Sequence, residues 1–351
     1  MAAKRMRLGV GRASDRGGVT VRSQALPRML PRMLPRMSEE LPVSIAFVFP
    51  GQGSHRAGSL DTWGNHPALA VLDEVSEGIG RDVRALTADP TAGARTADAQ
   101  PAILASSLVA WRALTDAGVV ADVVAGHSLG EYSAAIAAGV FNVADGASLV
   151  AERGAAMGEA CAVNPGTMAA VVKLAPDAVE VLVDRIDELV VANDNAPGQV
   201  VVAGPPEAVA AVADEARQAG GRALPLDVEG AFHSPAMAPA VDRVSRALAR
   251  TPAAEPRITL IAGADATPRQ DARAVTDALQ SGVLSPVRWR EVQLALAERG
   301  VTHLVEVGPG GVLAGLAKRT VPDLTVHKIE GPDDVTAVAD ALVGAASGAR
   351  A

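Results

Sequence analysis

Short apolar runs alternate with longer amphipathic stretches along most of this chain. The runs at 44–49, 122–125, 167–174, 189–192, 199–203, 222–227, 258–262, 303–307 and 324–329 are bounded by turn-forming residues and too short for helices, so they predict strands. Helical stretches are predicted between several of them, at 99–117, 144–159, 208–218, 234–249 and 287–299. Strand and helix in alternation predict an α/β fold with a largely parallel sheet. The rhythm breaks between about 164 and 230, which reads strand, helix (177–186), strand, strand, helix (207–218), strand. That order is the split βαβ unit of ferredoxin-like domains. A small inserted α+β subdomain is therefore expected at 164–230, within a core built from 37–163 and 231–351.

One junction in this pattern carries chemistry. The strand at 122–125 runs into Gly126-His127-Ser128-Leu129-Gly130, and an Ala-rich helical stretch follows to Gly139. Strand, Gly-flanked turn and helix in that order lift the serine hydroxyl clear of the sheet and aim a helix N-terminus beside it. The pentapeptide alone would arise by chance in roughly one chain in eight of this length, so a base and an oxyanion hole are needed before Ser128 counts as a nucleophile.

Composition narrows the classes. The chain has 351 residues, 49% hydrophobic and 21% charged, and no apolar run long enough for a membrane span. Its single cysteine, Cys161, rules out an internal disulfide framework and a cysteine-based metal site, and fits a reducing, cytoplasmic setting. Residues 1–36 hold nine Lys/Arg against one acid, a net of +8, which leaves −16 on the rest of a chain whose total is −8. An acidic body with four Phe and one Tyr argues against nucleic-acid binding. The basic arm is Arg-rich like an organelle leader, but Leu-Pro-Arg-Met occurs three times between Leu26 and Met37. Proline at every fourth residue forbids the amphipathic helix of such leaders. A disordered extension, or translation from an upstream start, is expected there, with the functional chain beginning near Met37.

The base is sought among three histidines after Ser128. His303 and His327 fall inside strand runs, whereas His233 lies in a loop directly before Ser234-Pro235. That pair reads as an N-cap followed by an N1 proline. Bases are usually carried on such loops, which favours His233. The first strand ends in Pro50-Gly51-Gln52-Gly53-Ser54. Its glycines let the Gln52 N–H approach a pocket shared with the N–H of Leu129, the residue after the serine, and two such donors make an oxyanion hole. To this point a hydrolase and an acyltransferase are equally supported.

The residues Phe47-Val48-Phe49-Pro50-Gly51-Gln52-Gly53-Ser54, Gly126-His127-Ser128-Leu129-Gly130-Glu131-Tyr132-Ser133-Ala134, Ala231-Phe232-His233-Ser234 and Glu306-Val307-Gly308-Pro309-Gly310 occur in that order. Together they resemble the malonyl-CoA:acyl carrier protein transacylases and the acyltransferase domains of polyketide synthases, over about 45–328. The resemblance implies an α/β-hydrolase-like core with a ferredoxin-like insert. It implies Ser128 as nucleophile, His233 as base, and Gln52 and Leu129 as oxyanion donors. It also implies Arg153 as the partner of a free malonyl carboxylate, with Gln100 beside it in the pocket. Phe232 matches a malonyl-type signature in which the ring crowds a C2 methyl. The histidine is expected to be oriented by a main-chain carbonyl instead of an acid, and the matching stretch Ser285-Pro286-Val287-Arg288 assigns it to Arg288.

The substrates so implied are malonyl-CoA and a phosphopantetheinylated acyl carrier protein, in a ping-pong reaction that needs no metal or other cofactor. The chain is expected to act as a monomer, without nucleic-acid or membrane partners. Carrier proteins are acidic, so docking on an acidic body needs a local basic patch, with Lys318, Arg319, Arg288 and Arg290 as candidates. The alternatives are an acyltransferase subunit for a polyketide synthase or malonate decarboxylase, and a serine hydrolase or thioesterase. The last shares the serine turn but has no use for Arg153.

Overall fold

The computed structural model describes residues 43–348; the expectations for 1–36 lie outside them. Two sheets organise the chain. The larger has the strand order β10-β9-β1-β2-β7-β8, formed by β1 (Ile45–Phe49), β2 (Val123–Gly126), β7 (Thr259–Ile261), β8 (Pro268–Arg269), β9 (His303–Val307) and β10 (Thr325–Ile329). All its pairings are parallel except β7 with β8. Helices cover both faces, which is why β1 and β2 are apolar without interruption. Alternate β1 residues serve opposite faces. Phe47 and Phe49 pack with Leu104, Leu108, Tyr132 and Val150, while Ala46 and Val48 pack with Trp289, Leu296, Leu304 and Leu313.

The helices of the first face include α3 (Thr96–Asp116), α4 (Gly130–Ala137) and α5 (Val143–Val163), preceded in the chain by α1 (Val71–Ile79) and α2 (Val83–Ala88). The Asn142 side chain accepts the Asp145 N–H at 2.8 Å and so sets the start of α5. The other face is covered by α10 (Trp289–Glu298) and α11 (Val312–Thr320). Between β6 and α10 come α8 (Ala238–Arg250) and α9 (Ala272–Ser281), and α12 (Pro332–Gly348) follows β10.

The second sheet has the order β4-β5-β3-β6, all antiparallel, from β3 (Thr167–Val172), β4 (Val190–Ala196), β5 (Gln199–Gly204) and β6 (Arg222–Pro225). With α6 (Pro176–Val183) and α7 (Pro206–Gln218) it is the inserted ferredoxin-like α+β unit. Val171, Val200 and Val202 face its own helices through Val179, Leu182 and Val212, whereas Met168, Ala170 and Val201 join the main core.

Several predicted boundaries move by a few residues, and three of the shifts bear on the site or the insert. The helix expected from 234 begins as a 3-10 turn, Pro235–Met237, capped by Ser234, and becomes α-helical only at Ala238. Pro239 has no N–H to give to the Pro235 carbonyl, so the ladder cannot start earlier. The helix expected from 287 starts at Trp289, because Val287 is used elsewhere. Its N–H donates to Ala192 O at 2.8 Å and its carbonyl accepts from Asp194 N at 2.9 Å, which pins β4 of the insert to the core. The strand-like run at 167–174 stops at Val172, and Lys173 turns the chain at φ 69°.

Candidate active site

Ser128 sits at the tip of the turn between β2 and α4 with φ 55°, a left-handed conformation that is costly for a residue with a Cβ. The flanking glycines are required by contact as much as by torsion. A Cβ on Gly126 would stand 2.0 Å from Gly130 C, and one on Gly130 would stand 2.0 Å from the Phe49 carbonyl oxygen. Gly51 is held as closely, since its Cβ would lie 2.4 Å from His127 O. The first contact closes the serine turn on itself, and the other two press the loop after β1 against it. The N–H groups of Gln52 and Leu129 donate to no carbonyl among the described residues. The Gln52 side chain is anchored by Nε2 donating to Thr96 Oγ1 at 3.2 Å.

His233 lies 2.8 Å, Nε2 to Oγ, from Ser128. It too has positive φ, 57°, so both members of the pair are presented on strained backbone. Its Nδ1 faces the Ser285 carbonyl oxygen at 2.9 Å. A carbonyl can only accept, so Nδ1 carries the proton and Nε2 is left to accept from the serine hydroxyl. Burial, then the charges of Arg153 and His127, push the His233 pKa down to about 3, against opposing bonds to the Ser285 and Gly282 carbonyls. The ring is therefore neutral across the physiological range.

The Ser285 contact corrects the expectation for Arg288. The Arg288 carbonyl accepts from Val292 N at 3.0 Å as the opening bond of α10, and its N–H donates to Gly263 O at 2.8 Å. Its side chain pairs with Glu291 at 2.7 Å. Ser285, ahead of Pro286 and outside the helix, has its carbonyl free to turn toward the histidine.

Arg153, on α5, is 3% exposed. Its Nη2 donates to Ser128 Oγ at 3.0 Å and its Nη1 to Gln100 Oε1 at 2.8 Å. The guanidinium lies 5.5 Å from the centroid of the Tyr132 ring, a cation–π contact. No carboxylate among the described residues pairs with it within 4.0 Å. A buried cation held only by neutral groups is built to receive an anion. Burial lowers its pKa from the usual arginine value, opposed by Tyr132 and Glu131; arginine stays charged all the same.

Of the eight residues expected at the site, Ser128, His233, Arg153 and Gln100 form one hydrogen-bonded chain, Leu129 belongs to the serine turn, and Gln52 to the loop pressed against it. Phe232 is buried in the main core and does not line the compartment around Ser128. That compartment has room for about one water and is lined by Glu131, Tyr132, Arg153, His233, Gly263 and Ser285, among others. On the other side of the turn a cleft of about 180 Å³ runs between the core and the insert, past Gln52, His127, Asn193, Asn195, Gln199 and Leu313. His127 spans this cleft's floor, with Nε2 2.9 Å from Asn195 Oδ1 and its ring edge-on to Trp289. Sequence reasoning passed over Ser285, Glu131 and the His127–Asn195 contact; the first two lie inside motifs it had singled out.

Residues 46–341 match the acyl transferase domain family. The malonyl CoA-acyl carrier protein transacylase of Salmonella typhimurium is 39% identical over 301 residues, covering 83% of this chain and 97% of that protein. The crystal structure of an acyl-carrier-protein S-malonyltransferase from Burkholderia pseudomallei superposes with a TM-score of 0.81 at 37% identity, covering 85% of this chain and all of that one. A malonyl-transacylase solved in complex with its type II PKS acyl-carrier protein gives 0.81 at 34% identity, covering 86% and 99%. A hydrogen-bonded serine–histidine pair on an α/β core with a ferredoxin-like insert is what the fold and the site share with this class. The chain belongs to the acyl transferase domain family.

Proposed function

We propose that this protein transfers a malonyl group from malonyl-CoA to the phosphopantetheine thiol of an acyl carrier protein, through a malonyl ester on Ser128. The observation that carries the reading is Arg153: a buried guanidinium that reaches the serine hydroxyl through one of its two hydrogen bonds and forms no direct ion pair with a carboxylate among the described residues. It selects acyl groups that bring a free carboxylate. Each charge-assisted bond contributes about 1.5–3 kcal/mol, and a neutral acyl group leaves the cation unpaired at a cost of about 3–5 kcal/mol.

His233 Nε2 takes the hydroxyl proton as Ser128 Oγ attacks the thioester carbonyl. The oxyanion is held by the N–H groups of Gln52 and Leu129. Collapse expels the CoA thiolate, which takes the proton back from His233. The carrier's thiol then enters along the cleft and attacks the ester by the reverse route. Ser285, through its carbonyl, fills the orienting place that an acid holds in other serine enzymes. The steps proposed use only the two substrates and these side chains, without a resident cofactor. No helix among the described residues is long and apolar enough to cross a membrane. The working setting proposed, from the single cysteine, is the cytoplasm, and the working form a monomer.

The insert is proposed to span 164–230 and the core 37–163 and 231–351. For the carrier, Lys318 and Arg319 on α11 are the better docking cations. Both are exposed, Leu313 and Leu316 of the same helix line the cleft, and Arg319 donates to Gln199 on its rim. Arg288 and Arg290 are already paired with Glu291 and Asp194. The relative solved with a type II PKS carrier favours, as a second reading, service to a polyketide pathway.

The test is the intact-protein mass after mixing with malonyl-CoA, then again after adding phosphopantetheinylated carrier. A malonyl adduct that moves to the carrier supports the transferase. An adduct lost to water at the same rate with or without carrier makes it a hydrolase.

A further inference from the structure

One buried carboxylate beside the reacting groups has no part in the steps above. Glu131, in the first turn of α4, is 5% exposed and lines the same compartment as Ser128, Arg153 and His233. Its Oε1 accepts a single long bond from Gly263 N, 3.3 Å, the one hydrogen bond to this carboxylate among the described residues. The space it occupies is kept by a glycine: a Cβ on Gly263 would come within 3.2 Å of Oε2. Carboxylates buried with so few donors are costly unless a cation shares the site. The cation here is Arg153, which bears on Glu131 electrostatically without forming a direct ion pair.

We propose that Glu131 is a counter-charge that yields to the substrate: ionised alongside Arg153 before the acyl donor binds, it takes up a proton when the donor's free carboxylate pairs with Arg153. The inference rests on the malonyl-transfer reading. The reason is the charge count of a closed space. One guanidinium can balance one carboxylate in so small a compartment; a second anion beside it meets repulsion that the little water there damps weakly. Protonation of Glu131 removes that repulsion, and the uncharged acid keeps its bond from Gly263.

The other groups facing Glu131 do not supply a second cation. Tyr132, its neighbour on α4, is held neutral by burial, with a pKa pushed up to about 12. His233 is neutral as described. Beyond Gly263, Asp265 and Arg269 pair with each other at 2.6 Å and largely cancel. Leu279 and Gly282 complete the wall without titratable side chains. Burial holds the Glu131 pKa up to about 7, with the Gly263 N–H and then Arg153 opposing, so the proton is exchanged within the working pH range.

The experiment is the second-order rate constant for acylation of Ser128 by malonyl-CoA, read by quenched intact mass between pH 6 and 9, in the wild type, Glu131→Gln and Glu131→Asp. In the wild type the constant should fall about tenfold per pH unit above neutrality, the slope of one coupled proton. It should be level in Glu131→Gln, and the fall should return in Glu131→Asp. A level wild-type profile overturns the inference without any variant, and so does an unchanged fall in Glu131→Gln. A wild type that is not acylated by malonyl-CoA at any pH overturns the malonyl reading itself, a result distinct from acylation that ignores pH.

Discussion

The Nδ1 of His233 lies 2.9 Å from the carbonyl oxygen of Ser285, and no carboxylate stands in that place. A peptide carbonyl fixes the tautomer as an aspartate would, but it brings no negative charge to stabilise an imidazolium. With burial and Arg153 acting in the same direction, His233 titrates near 3 instead of near neutrality. The acylation rate constant should therefore show no acid limb between pH 7 and 5. A fall across that interval would place the base's pKa in the ordinary histidine range.

The same depressed pKa bears on stability. A histidine kept neutral in the fold favours the folded state fully above its unfolded value, near 6.5, and loses that contribution as pH falls toward 3. Chemical denaturation at pH 6.5 and pH 4.5 should show the wild type losing more stability than His233→Gln, with the difference in slope approaching ~1.4 kcal/mol per pH unit. Equal slopes would mean that the histidine protonates in the folded protein without penalty.

Removing Arg153 should change what is transferred more than whether transfer occurs. Arg153→Ala is expected to lower malonyl acylation by two or more orders of magnitude, from about 3–5 kcal/mol of lost pairing, while the ratio of acetyl to malonyl acylation rises. Competition between the two acyl-CoA donors, read by adduct mass, checks this. An unchanged ratio would take the carboxylate-gripping role away from Arg153.

Ser128 offers a comparison between strain and chemistry. Ser128→Ala and Ser128→Gly both lack the hydroxyl, and neither should form an adduct. Only glycine relieves the φ of 55°, so Ser128→Gly should be more stable than Ser128→Ala by about 1 kcal/mol. Thermal denaturation of the two proteins decides it, and equal midpoints would mean that the turn stores no strain at this residue.

Gly130 tests the packing beneath the turn. A Cβ there would collide with Phe49 O at 2.0 Å, and backbone on both sides can only separate. Gly130→Ala should cost about 3 kcal/mol and weaken acylation by displacing Ser128 from Gln52. A variant with native melting temperature and native rate would show that the contact is softer than its geometry.

Much of this arrangement was legible in the sequence because it is local. The serine turn announces itself through the glycines on either side of it, and the insert through its strand–helix–strand–strand–helix–strand order, which the sheet order β4-β5-β3-β6 carries through. The orienting carbonyl was not legible. Any residue of the stretch 285–288 offers one, and the choice of Ser285 depends on α10 consuming the Arg288 carbonyl. Glu131 read as an ordinary first-turn acid of α4; the wall it faces is built by Gly263, Leu279 and Gly282, more than 130 residues away in the chain. The two-residue strand β8 and the short helix α2 are too brief for periodicity to register.

The pairing of Val287 with β4 leaves little freedom between the two halves of the molecule. Ala192 and Asp194 of the insert grip Val287 from both sides, and two residues upstream the same segment turns Ser285 toward His233. An insert that swung outward to admit a bulky thiol would drag on that segment and loosen the hold on the ring. Gaping and reactivity thus oppose each other: a malonyl ester exposed to bulk water by such a swing would find its base out of alignment, and the acyl group would be spared hydrolysis while the carrier arrives.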